Sequence, residues 1–274
     1  MSEISINNGE TKPYFVRIMN KVTPFHIDLL KCIALIAMIA DHANDLILPE
    51  KQYLFYSLGR LAMPLFIFIW AWNMAKQPCR WELMARRQWI WAIIAQPFFA
   101  VAFYKSAPWY AANILFVFAL VSQVASWVNR HSKSGYKGWV KEQGVIKSIA
   151  WVLVIVIAIY SVSIVSYGLP GIALLTLTLL CFLTTGYKLK ILIPLWWGAL
   201  FFLNISLQTI IANPLDLLKY GILPCLFLPW FTLQIIDNYH SNREKRFMPR
   251  QAFYWLYSGH LGLLAFIAWI LTGL

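Results

Sequence analysis

Long apolar stretches separated by short polar breaks run through almost the whole chain. Each stretch is long enough to form a helix of about 20 residues, the length that crosses the hydrocarbon layer of a bilayer. The stretches are continuous rather than alternating, which favours helices over the strands of a transmembrane β-barrel. The pattern predicts an all-α, polytopic integral membrane protein with about nine transmembrane helices, and about eight or ten are also compatible with it. The predicted spans lie near residues 25–48, 53–75, 88–105, 109–128, 148–165, 169–186, 191–212, 215–234 and 253–273.

Composition agrees with this pattern and gives it a direction across the membrane. Of the 274 residues, 60% are hydrophobic and only 12% are charged, whereas a soluble domain is about a quarter charged. Most of the 23 lysines and arginines fall in alternate loops, and the opposite loops hold only Lys51, Lys105 and Lys219. Because cytoplasmic loops carry the excess of positive charge, the N-terminus is predicted to be cytoplasmic. Residues 1–24 then form a polar cytoplasmic segment, and 25–274 form a single transmembrane domain.

Two kinds of ligand are not expected. The formal net charge of +12 has a topological explanation, and the sequence holds no soluble basic domain that would bind nucleic acid. The four cysteines are far apart and form no C-x-x-C pair, so no zinc or other metal site is predicted. The lipid bilayer is the first partner that the composition indicates.

Ionisable residues along the first predicted helix limit the function most. A charged side chain at the centre of a membrane helix costs about 2.5 to 3.5 kcal/mol even on lenient scales. With Asp28 set at zero and about 100° per residue, His42 falls at about −40°, Lys31 at about −60° and Asp45 at about −100°. These residues share one helix face, and Asp41, at about −140°, lies at its margin. Lys31 and His42 are about 16 Å apart along the axis, so this polar stripe crosses about half of the hydrocarbon layer.

Arg60 is placed to meet this stripe. It lies about seven residues into the second predicted helix, which enters from the outer side, and therefore at a depth of about 10 Å. His42 has a similar depth, so adjacent antiparallel helices would bring Arg60 against Asp41, His42 or Asp45. Two interpretations stay open: a functional charge cluster in the outer half of the membrane, or simple neutralisation of Asp41 or Asp45 by Arg60.

The other histidines differ in their setting. His260 lies about seven residues into the last predicted helix, at a depth that matches Lys31 on this topology. It is either a site residue or a partner in a hydrogen bond between helices. His26, His131 and His240 lie at helix ends or in basic loops, which predicts that they are solvated.

A buried histidine beside carboxylates and cations suits two kinds of chemistry. In acyl transfer, the imidazole takes a proton from the nucleophile, a carboxylate orients the ring and a cation stabilises the oxyanion. In proton-coupled transport, the same groups form a relay. Composition and spacing do not separate these two functions, although no second stripe in residues 140–274 suggests the paired halves of a transporter.

A set of short motifs follows in order along the chain. It comprises Asp28-Leu29-Leu30-Lys31, Asp41-His42, Gly59-Arg60, Met63-Pro64-Leu65-Phe66, Trp109-Tyr110, Asn113-Ile114-Leu115-Phe116, Ser166-Tyr167-Gly168-Leu169-Pro170-Gly171 and Tyr257 with His260-Leu261. In order and spacing this set resembles the TraX family of conjugative pilin acetylases, and more distantly the membrane acyltransferase family 3. The resemblance extends over roughly residues 25–270. Met63, Ala43 and Ser258-Gly259 depart from the usual Phe, Ile and Pro of the family.

The resemblance implies a multi-pass acetyltransferase of the bacterial inner membrane. Such an enzyme transfers an acetyl group from cytoplasmic acetyl-CoA to the N-terminal amine of a pilin subunit during conjugative pilus biogenesis. Its expected partners are the pilin, the bilayer and other components of pilus assembly or type IV secretion. An acyltransferase for a surface polysaccharide and a proton-coupled small-solute transporter are the alternatives, with a structural assembly factor behind them.

The resemblance also implies roles for the residues of the polar stripe. His42 is the expected general base, oriented by Asp41 or Asp45, and Arg60 or Asn113 is expected near the oxyanion. Acetyl-CoA is expected to contact the cytoplasmic half of the protein and its basic face. There, Arg86 and Arg87 either bind its phosphates or serve only as topology signals. The expected cofactor-binding residues are Asp28, Lys31, Arg86, Arg87 and His260. The expected acceptor-binding residues are Asn113, Tyr167 and Gly168.

Overall fold

The structure is a computed structural model, and regular structure in its described part is entirely helical. The prediction of an all-α fold is confirmed for these residues. The predicted fifth span, near 148–165, lies outside them, so the predicted number of spans stays a prediction. The described residues are 12–131, 167–205, 207–239, 244–249 and 251–272.

The helices mostly follow the predicted apolar stretches, but a short helix, Tyr14–Lys21, precedes the first of them, and other stretches start later or are divided. The helix predicted near 109–128 begins only at Ile114, and the stretch predicted near 191–212 is divided between two helices. A π-helical turn, Leu217–Ile222, lies near the start of α10. The helices are α1 (Tyr14–Lys21), α2 (Pro24–Leu46), α3 (Tyr53–Gly59), α4 (Ala62–Lys76), α5 (Trp81–Ala102), α6 (Ile114–His131), α7 (Gly168–Leu183), α8 (Leu189–Phe202), α9 (Leu207–Ala212), α10 (Pro214–Asn238) and α11 (Ala252–Thr272).

Three of the described helical stretches are long and apolar enough to cross a membrane. They are Tyr53–Lys76, Pro214–Asn238 and Ala252–Leu271, and α6 and α7 are shorter apolar helices. Helix α2 has the length but is not among the three, because its charged residues interrupt the apolar sequence. The chain therefore has the character of a membrane protein, and α2 is a long helix that carries charged residues.

Two compact units make up the chain. Unit 1 contains Met1–Ala75 and Thr176–Phe253, and unit 2 contains Lys76–Leu175 and Tyr254–Leu274. The whole of α2 and α3 lies in unit 1, whereas α5 and α6 lie in unit 2. The assignment of residues 25–274 to one transmembrane domain stays a prediction.

The start of α2 is closed by a capping box. Thr23 Oγ1 accepts a hydrogen bond from the His26 N–H at 3.4 Å, and the Thr23 N–H donates to His26 Nδ1 at 3.3 Å. Pro24 follows as the first helical residue, where its missing N–H is harmless. His26 Nε2 also lies 3.1 Å from the carbonyl oxygen of Tyr239, and the residue is only 8% exposed. The prediction of a solvated His26 was wrong because its ring joins α2 to the end of α10; His240 and the side chain of His131 lie outside the described residues.

A break between α3 and α4 places Arg60 at a turn. Pro64 has no N–H to donate to the carbonyl of residue 60, and its ring clashes with that carbonyl in a straight helix. The chain instead makes tight bonds from the Arg60 N–H to the Ser57 carbonyl at 3.2 Å and from the Leu61 N–H to the Leu58 carbonyl at 3.0 Å. The predicted second span is thus two helices, and Arg60 lies at their junction.

In unit 1, the short helix α1 packs one apolar face against the other helices. Phe15 stacks on Trp196 of α8 at 4.7 Å and on Phe68 of α4 at 5.0 Å between ring centroids. Trp196 in turn donates to Thr178 Oγ1 of α7 at 2.8 Å. These contacts gather four helices around one aromatic centre, in which Phe15 and Trp196 are almost completely buried.

In unit 2, α5 and α6 run antiparallel. Arg130 at the end of α6 pairs with Glu82 at the start of α5. Just before the start of α6, Gln96 Nε2 of α5 donates to the Ala111 carbonyl at 2.6 Å, and Asn113 Nδ2 donates to the Ala92 carbonyl of α5 at 2.8 Å. Helix α6 therefore begins level with the middle of α5, because the chain after α5 folds back before α6 starts.

Candidate functional site

The Asp41 carboxylate and the Arg60 guanidinium form the central ion pair of unit 1. Arg60 Nη2 lies 2.5 Å from Asp41 Oδ2, and each side chain is only 11% exposed. The predicted contact between the second helix and the polar stripe is confirmed for this pair. A buried pair of this kind is stable only if further hydrogen bonds satisfy the remaining polar atoms.

Arg60 has such further contacts on its other sides. Nη1 donates to Asn204 Oδ1 at 2.9 Å, and Nε donates to the Tyr56 carbonyl oxygen at 3.2 Å. The guanidinium also lies 4.3 Å from the centroid of the Tyr56 ring, within the range of a cation–π contact. Arg60 is thereby held in one orientation. Asn204 was not among the predicted site residues, because its distance of 144 positions along the chain leaves no local signal.

Gly59 allows the close approach of α3 to Asp41. A Cβ atom at this position would lie 2.3 Å from Asp41 Cγ and 2.5 Å from Asp41 Oδ1. No side chain other than hydrogen fits there without moving the carboxylate. The Gly59-Arg60 motif therefore has a physical reason: the glycine admits Asp41, and the next residue pairs with it.

Two buried polar atoms of α2, in or near this pair, have no hydrogen-bond partner among the described residues. They are Asp41 Oδ1 and Asn44 Nδ2. Asn44 is only 1% exposed, and its Oδ1 accepts a hydrogen bond from the Gln52 N–H at 2.7 Å. Leaving a buried donor or acceptor unpaired costs about 1 to 3 kcal/mol. Such atoms are therefore found at places where water or a ligand binds.

His42 directly follows Asp41 in α2 and is half-buried. The two carboxylates that were expected to orient it each have a cationic partner. Asp41 pairs with Arg60, and Asp45 Oδ1 lies 2.8 Å from Lys51 Nζ in the loop after α2. The hydrogen bond from Lys51 to Asp45 raises the pKa of the Lys51 ammonium above its usual value, so Lys51 stays protonated at neutral pH.

At the other end of α2, Asp28 contacts Lys31 of the same helix and also residues of the loop before α11. Asp28 is completely buried; its Oδ1 lies 3.1 Å from Lys31 Nζ and 3.8 Å from Arg246 Nη1. Its Oδ2 accepts a hydrogen bond from the Met248 N–H at 3.2 Å. The predicted neighbours Asp28 and Lys31 are thus joined, and Arg246 is a further member of the cluster. In the amino-acid sequence, Arg246 is one of several basic residues in a loop, and no local pattern links it to Asp28.

Asn113 has a different environment from the one predicted for an acceptor-binding residue. It is completely buried in unit 2, and its Nδ2 donates to the Ala92 carbonyl at 2.8 Å and to Gln96 Oε1 at 2.9 Å. Its Oδ1 accepts from the Leu115 N–H at 3.0 Å, which caps α6. Both amide hydrogens of Asn113 are therefore used within the fold, and neither is left for an oxyanion or an acceptor.

Tyr167, Tyr257 and His260 are neighbours in unit 2. The Tyr257 hydroxyl meets the backbone of Ile114 at the start of α6 and lies within electrostatic range of Tyr167. The ring of His260 lies 5.7 Å from that of Tyr257, and its Nδ1 is 3.1 Å from the Leu256 carbonyl oxygen. Tyr167 and Gly168 have φ angles of 56° and 52°, the left-handed region that Gly adopts easily and Tyr rarely does. This turn leads into α7.

The two arginines expected at the cytoplasmic face lie on α5 in unit 2. Arg86 is exposed, and Arg87 is half-buried within electrostatic range of Tyr254. Exposed guanidinium groups are suited to phosphate. Among the described residues, no three His, Cys, Asp or Glu side chains come together as a metal site would require.

Comparison with known proteins identifies the family of this chain. The profile of the family described as TraX protein matches residues 26–268. The chain belongs to the TraX family. The resemblance expected from the ordered motifs is thereby confirmed, and the matched region includes every predicted site residue.

Curated relatives agree with this assignment. Protein TraX of Escherichia coli strain K12 is 30% identical over 156 residues, which cover 57% of this chain and 56% of the relative. A second Protein TraX of Escherichia coli is 33% identical over 157 residues, with the same coverage. The alignments thus span little more than half the length of these relatives. No solved structure matches the chain.

Proposed function

We propose that this chain is a membrane-embedded, acetyl-CoA-dependent N-acetyltransferase. It transfers an acetyl group from cytoplasmic acetyl-CoA to the N-terminal amine of a pilin subunit during conjugative pilus biogenesis. Membership of the TraX family supports the reaction class, and the observation that carries the proposal is the site on α2. There, His42 directly follows Asp41, whose buried carboxylate is held by Arg60.

The proposed reaction is a simple acyl transfer. The amine nitrogen of the acceptor attacks the thioester carbonyl carbon, the new C–N bond forms and the C–S bond breaks. His42 removes a proton from the amine and returns one to the departing thiolate, so the products are an N-acetyl group and free CoA. An α-amino group has a reference pKa of about 7.7 to 8.0, so a neutral imidazole is a sufficient base.

The charged neighbours of His42 have separate roles in this proposal. Arg60 supplies positive charge for the oxyanion that forms in the transition state. Asp41 fixes the guanidinium and has a second carboxylate oxygen beside the site. Asp45, which pairs with Lys51, keeps the outer end of the stripe polar.

Acetyl-CoA is proposed to bind on the cytoplasmic side. The exposed Arg86 is the candidate for its phosphates, with Arg87 beside it, and both are suited to this by charge and position on α5. Lys31 has Asp28 as its partner, so its proposed role is to keep the route of the pantetheine arm polar. His260, next to Tyr257 in unit 2, stays a proposed cofactor-binding residue.

The proposed location is the bacterial inner membrane, with a cytoplasmic N-terminus and about nine spans. The basic residues at alternate helix ends support this orientation. It lets the same protein meet a cytoplasmic acyl donor and an acceptor on the opposite side, and other components of pilus assembly are the proposed partners.

Replacement of His42 tests the catalytic assignment. We expect His42→Ala, expressed together with the pilin, to leave the pilin unacetylated in its intact mass, because no base remains to deprotonate the amine. Cys32→Ala is the matched control, since Cys32 lies half-buried in the same helix and should leave acetylation unchanged. An acetylated pilin mass with His42→Ala at wild-type protein levels would contradict the assignment. A protein that binds no acetyl-CoA in proteoliposomes would instead favour transport or assembly.

A further inference from the structure

A cavity lined by tyrosines opens in unit 1 beside the Asp41–Arg60 pair. It has a volume of about 290 Å³, and its walls are mostly apolar. Its lining includes Tyr53 and Tyr56 of α3 and Tyr220 of the π-helical turn. This volume is close to the lower end of the range for small-molecule sites, about 300 to 1,000 Å³.

The π-helical turn brings its tyrosine against α3. Pro224 has no N–H to donate to the Tyr220 carbonyl, and this carbonyl accepts a hydrogen bond from Ser57 Oγ at 3.1 Å. The Tyr220 ring stacks on Tyr53 at 4.3 Å between centroids. The tyrosine walls are therefore held in place by the backbone.

The charge of the cavity wall is set by Asp216. Its Oδ2 accepts a hydrogen bond from the Tyr53 hydroxyl at 3.2 Å. Lys51 also lines the cavity, but its ammonium lies 2.8 Å from Asp45, so that pair adds no net charge. Within the described part of the chain, no lysine or arginine forms a salt bridge with Asp216. The wall therefore has an uncompensated carboxylate among aromatic rings.

We propose that this cavity binds a primary ammonium group carried on a small apolar body. Asp216 pairs with the ammonium through a charge-assisted hydrogen bond, and the tyrosine rings surround the apolar atoms and face the cation. Neutral and anionic ligands of the same shape are disfavoured, because they carry no positive charge to pair with the carboxylate.

Tyr56 lies between the cavity and the Arg60 side chain. The Tyr56 ring forms part of the cavity wall, while its carbonyl and its ring both contact the Arg60 guanidinium. The identity of the ligand rests on the proposed function. If the reaction is acetyl transfer to an amine, the ammonium bound in the cavity is the α-amine of the acceptor polypeptide. The cavity would then select the unacetylated chain end before it loses its proton.

Two synthetic peptides test the binding site. The probe is a hexapeptide with an N-terminal alanine and a free α-amine, and its twin differs only in an N-acetyl group. Titrated calorimetrically into the detergent-purified full chain, the free-amine peptide is expected to bind at least about tenfold more tightly, the factor that about 1.4 kcal/mol supplies. Equal affinity of the two peptides would overturn the proposal.

Variants of Asp216 assign the effect to the cavity. Asp216→Asn should weaken the free-amine peptide at least about tenfold and leave the acetylated twin unchanged, whereas Asp216→Glu should keep most of the preference because it keeps the charge. Asp237→Asn is the control, since it removes a carboxylate of unit 1 that pairs at the surface with Lys21. Retention of the preference by Asp216→Asn would also overturn the proposal.

The same measurements separate this proposal from the proposed function. His42→Ala should bind the free-amine peptide normally while losing acetylation. Peptide selectivity without any acetylation by the wild-type chain would leave the ammonium site standing and reject the acetyltransferase. Full acetylation by Asp216→Asn together with unchanged peptide binding would do the reverse.

Discussion

Single residues set the geometry around Arg60. Asp41 neutralises the guanidinium, Asn204 and Tyr56 accept its other hydrogen bonds, and Gly59 leaves room for the carboxylate. Breaking such a buried pair by removing one partner costs about 3 to 5 kcal/mol, because the other charge is left uncompensated. Small changes near the pair are therefore expected to have large effects.

Gly59→Ala tests the close approach directly. The added methyl group would lie 2.3 Å from Asp41 Cγ, so the carboxylate must move and the ion pair must lengthen. We expect a loss of about 1 to 3 kcal/mol in the free energy of unfolding, the usual cost of overpacking. Thermal unfolding of the purified protein in detergent measures it.

Gly198→Ala is the matched control for this prediction. It lies within α8, and no atom is within 4 Å of the position of its Cβ. Alanine is the better helix former, so the protein should be unchanged or more stable by up to about 1 kcal/mol. An equal loss for both variants would show that glycine is needed in these helices for a reason other than the approach to Asp41.

At the scale of whole elements, end groups decide where helices start and stop. Thr23 and His26 close the start of α2, and Asn113 caps α6. The end of α7 is closed from outside: Lys12 Nζ donates to the carbonyl oxygens of Phe182 at 2.8 Å and Thr184 at 2.5 Å. A cation at a helix C-terminus interacts favourably with the helix dipole as well as with the unpaired carbonyls.

Lys12→Met tests this cap, because methionine keeps much of the apolar chain and removes the ammonium. We expect the free energy of unfolding to fall by about 1 to 2 kcal/mol, the upper part of the range for charges at helix ends. Lys21→Met is the control: its Nζ lies 3.9 Å from Asp237, and its side chain is 70% exposed, so little should change. A stability of Lys12→Met equal to that of Lys21→Met would contradict the cap.

At the scale of the whole molecule, the distribution of charge predicts the orientation in the membrane. On this prediction, the loop after α2 lies outside and the turn after α4 lies in the cytoplasm, because lysine and arginine are in excess in alternate loops. Glu50 lies exposed in the first of these segments, and Cys79 lies exposed in the second. The two positions therefore report on opposite faces.

Labelling with a membrane-impermeant maleimide tests this orientation. Intact spheroplasts that express Glu50→Cys should be labelled, whereas the wild-type chain, with Cys79 on the inner side, should be labelled only after lysis. Cys181 and Cys225 are buried and should react in neither case. Labelling of the wild-type chain in intact spheroplasts would reverse the predicted topology.

Several parts of the site were predictable because they depend on one helix or on two helices adjacent in sequence. The predicted depth of Arg60 matched that of His42, which is next to Asp41, and the structure contains the Asp41–Arg60 ion pair. The interaction of Asp28 with Lys31 is likewise local, since the two residues are one helical turn apart. The role of Asn113 was not predictable, because its partners Ala92 and Gln96 are set by where α6 begins along α5.

The helical character of the chain, the polar residues of α2 and membership of the TraX family were all predictable from the amino-acid sequence. They follow from hydrophobic periodicity and ordered motifs, which act within a helix or between neighbours in sequence. The contacts of Asn204 with Arg60 and of Arg246 with Asp28, and the cavity that Tyr220 and Asp216 line with α3, were visible only in the folded chain. Such contacts depend on the packing of helices far apart in sequence, where a kink, a π-helical turn or a single glycine decides which side chains meet.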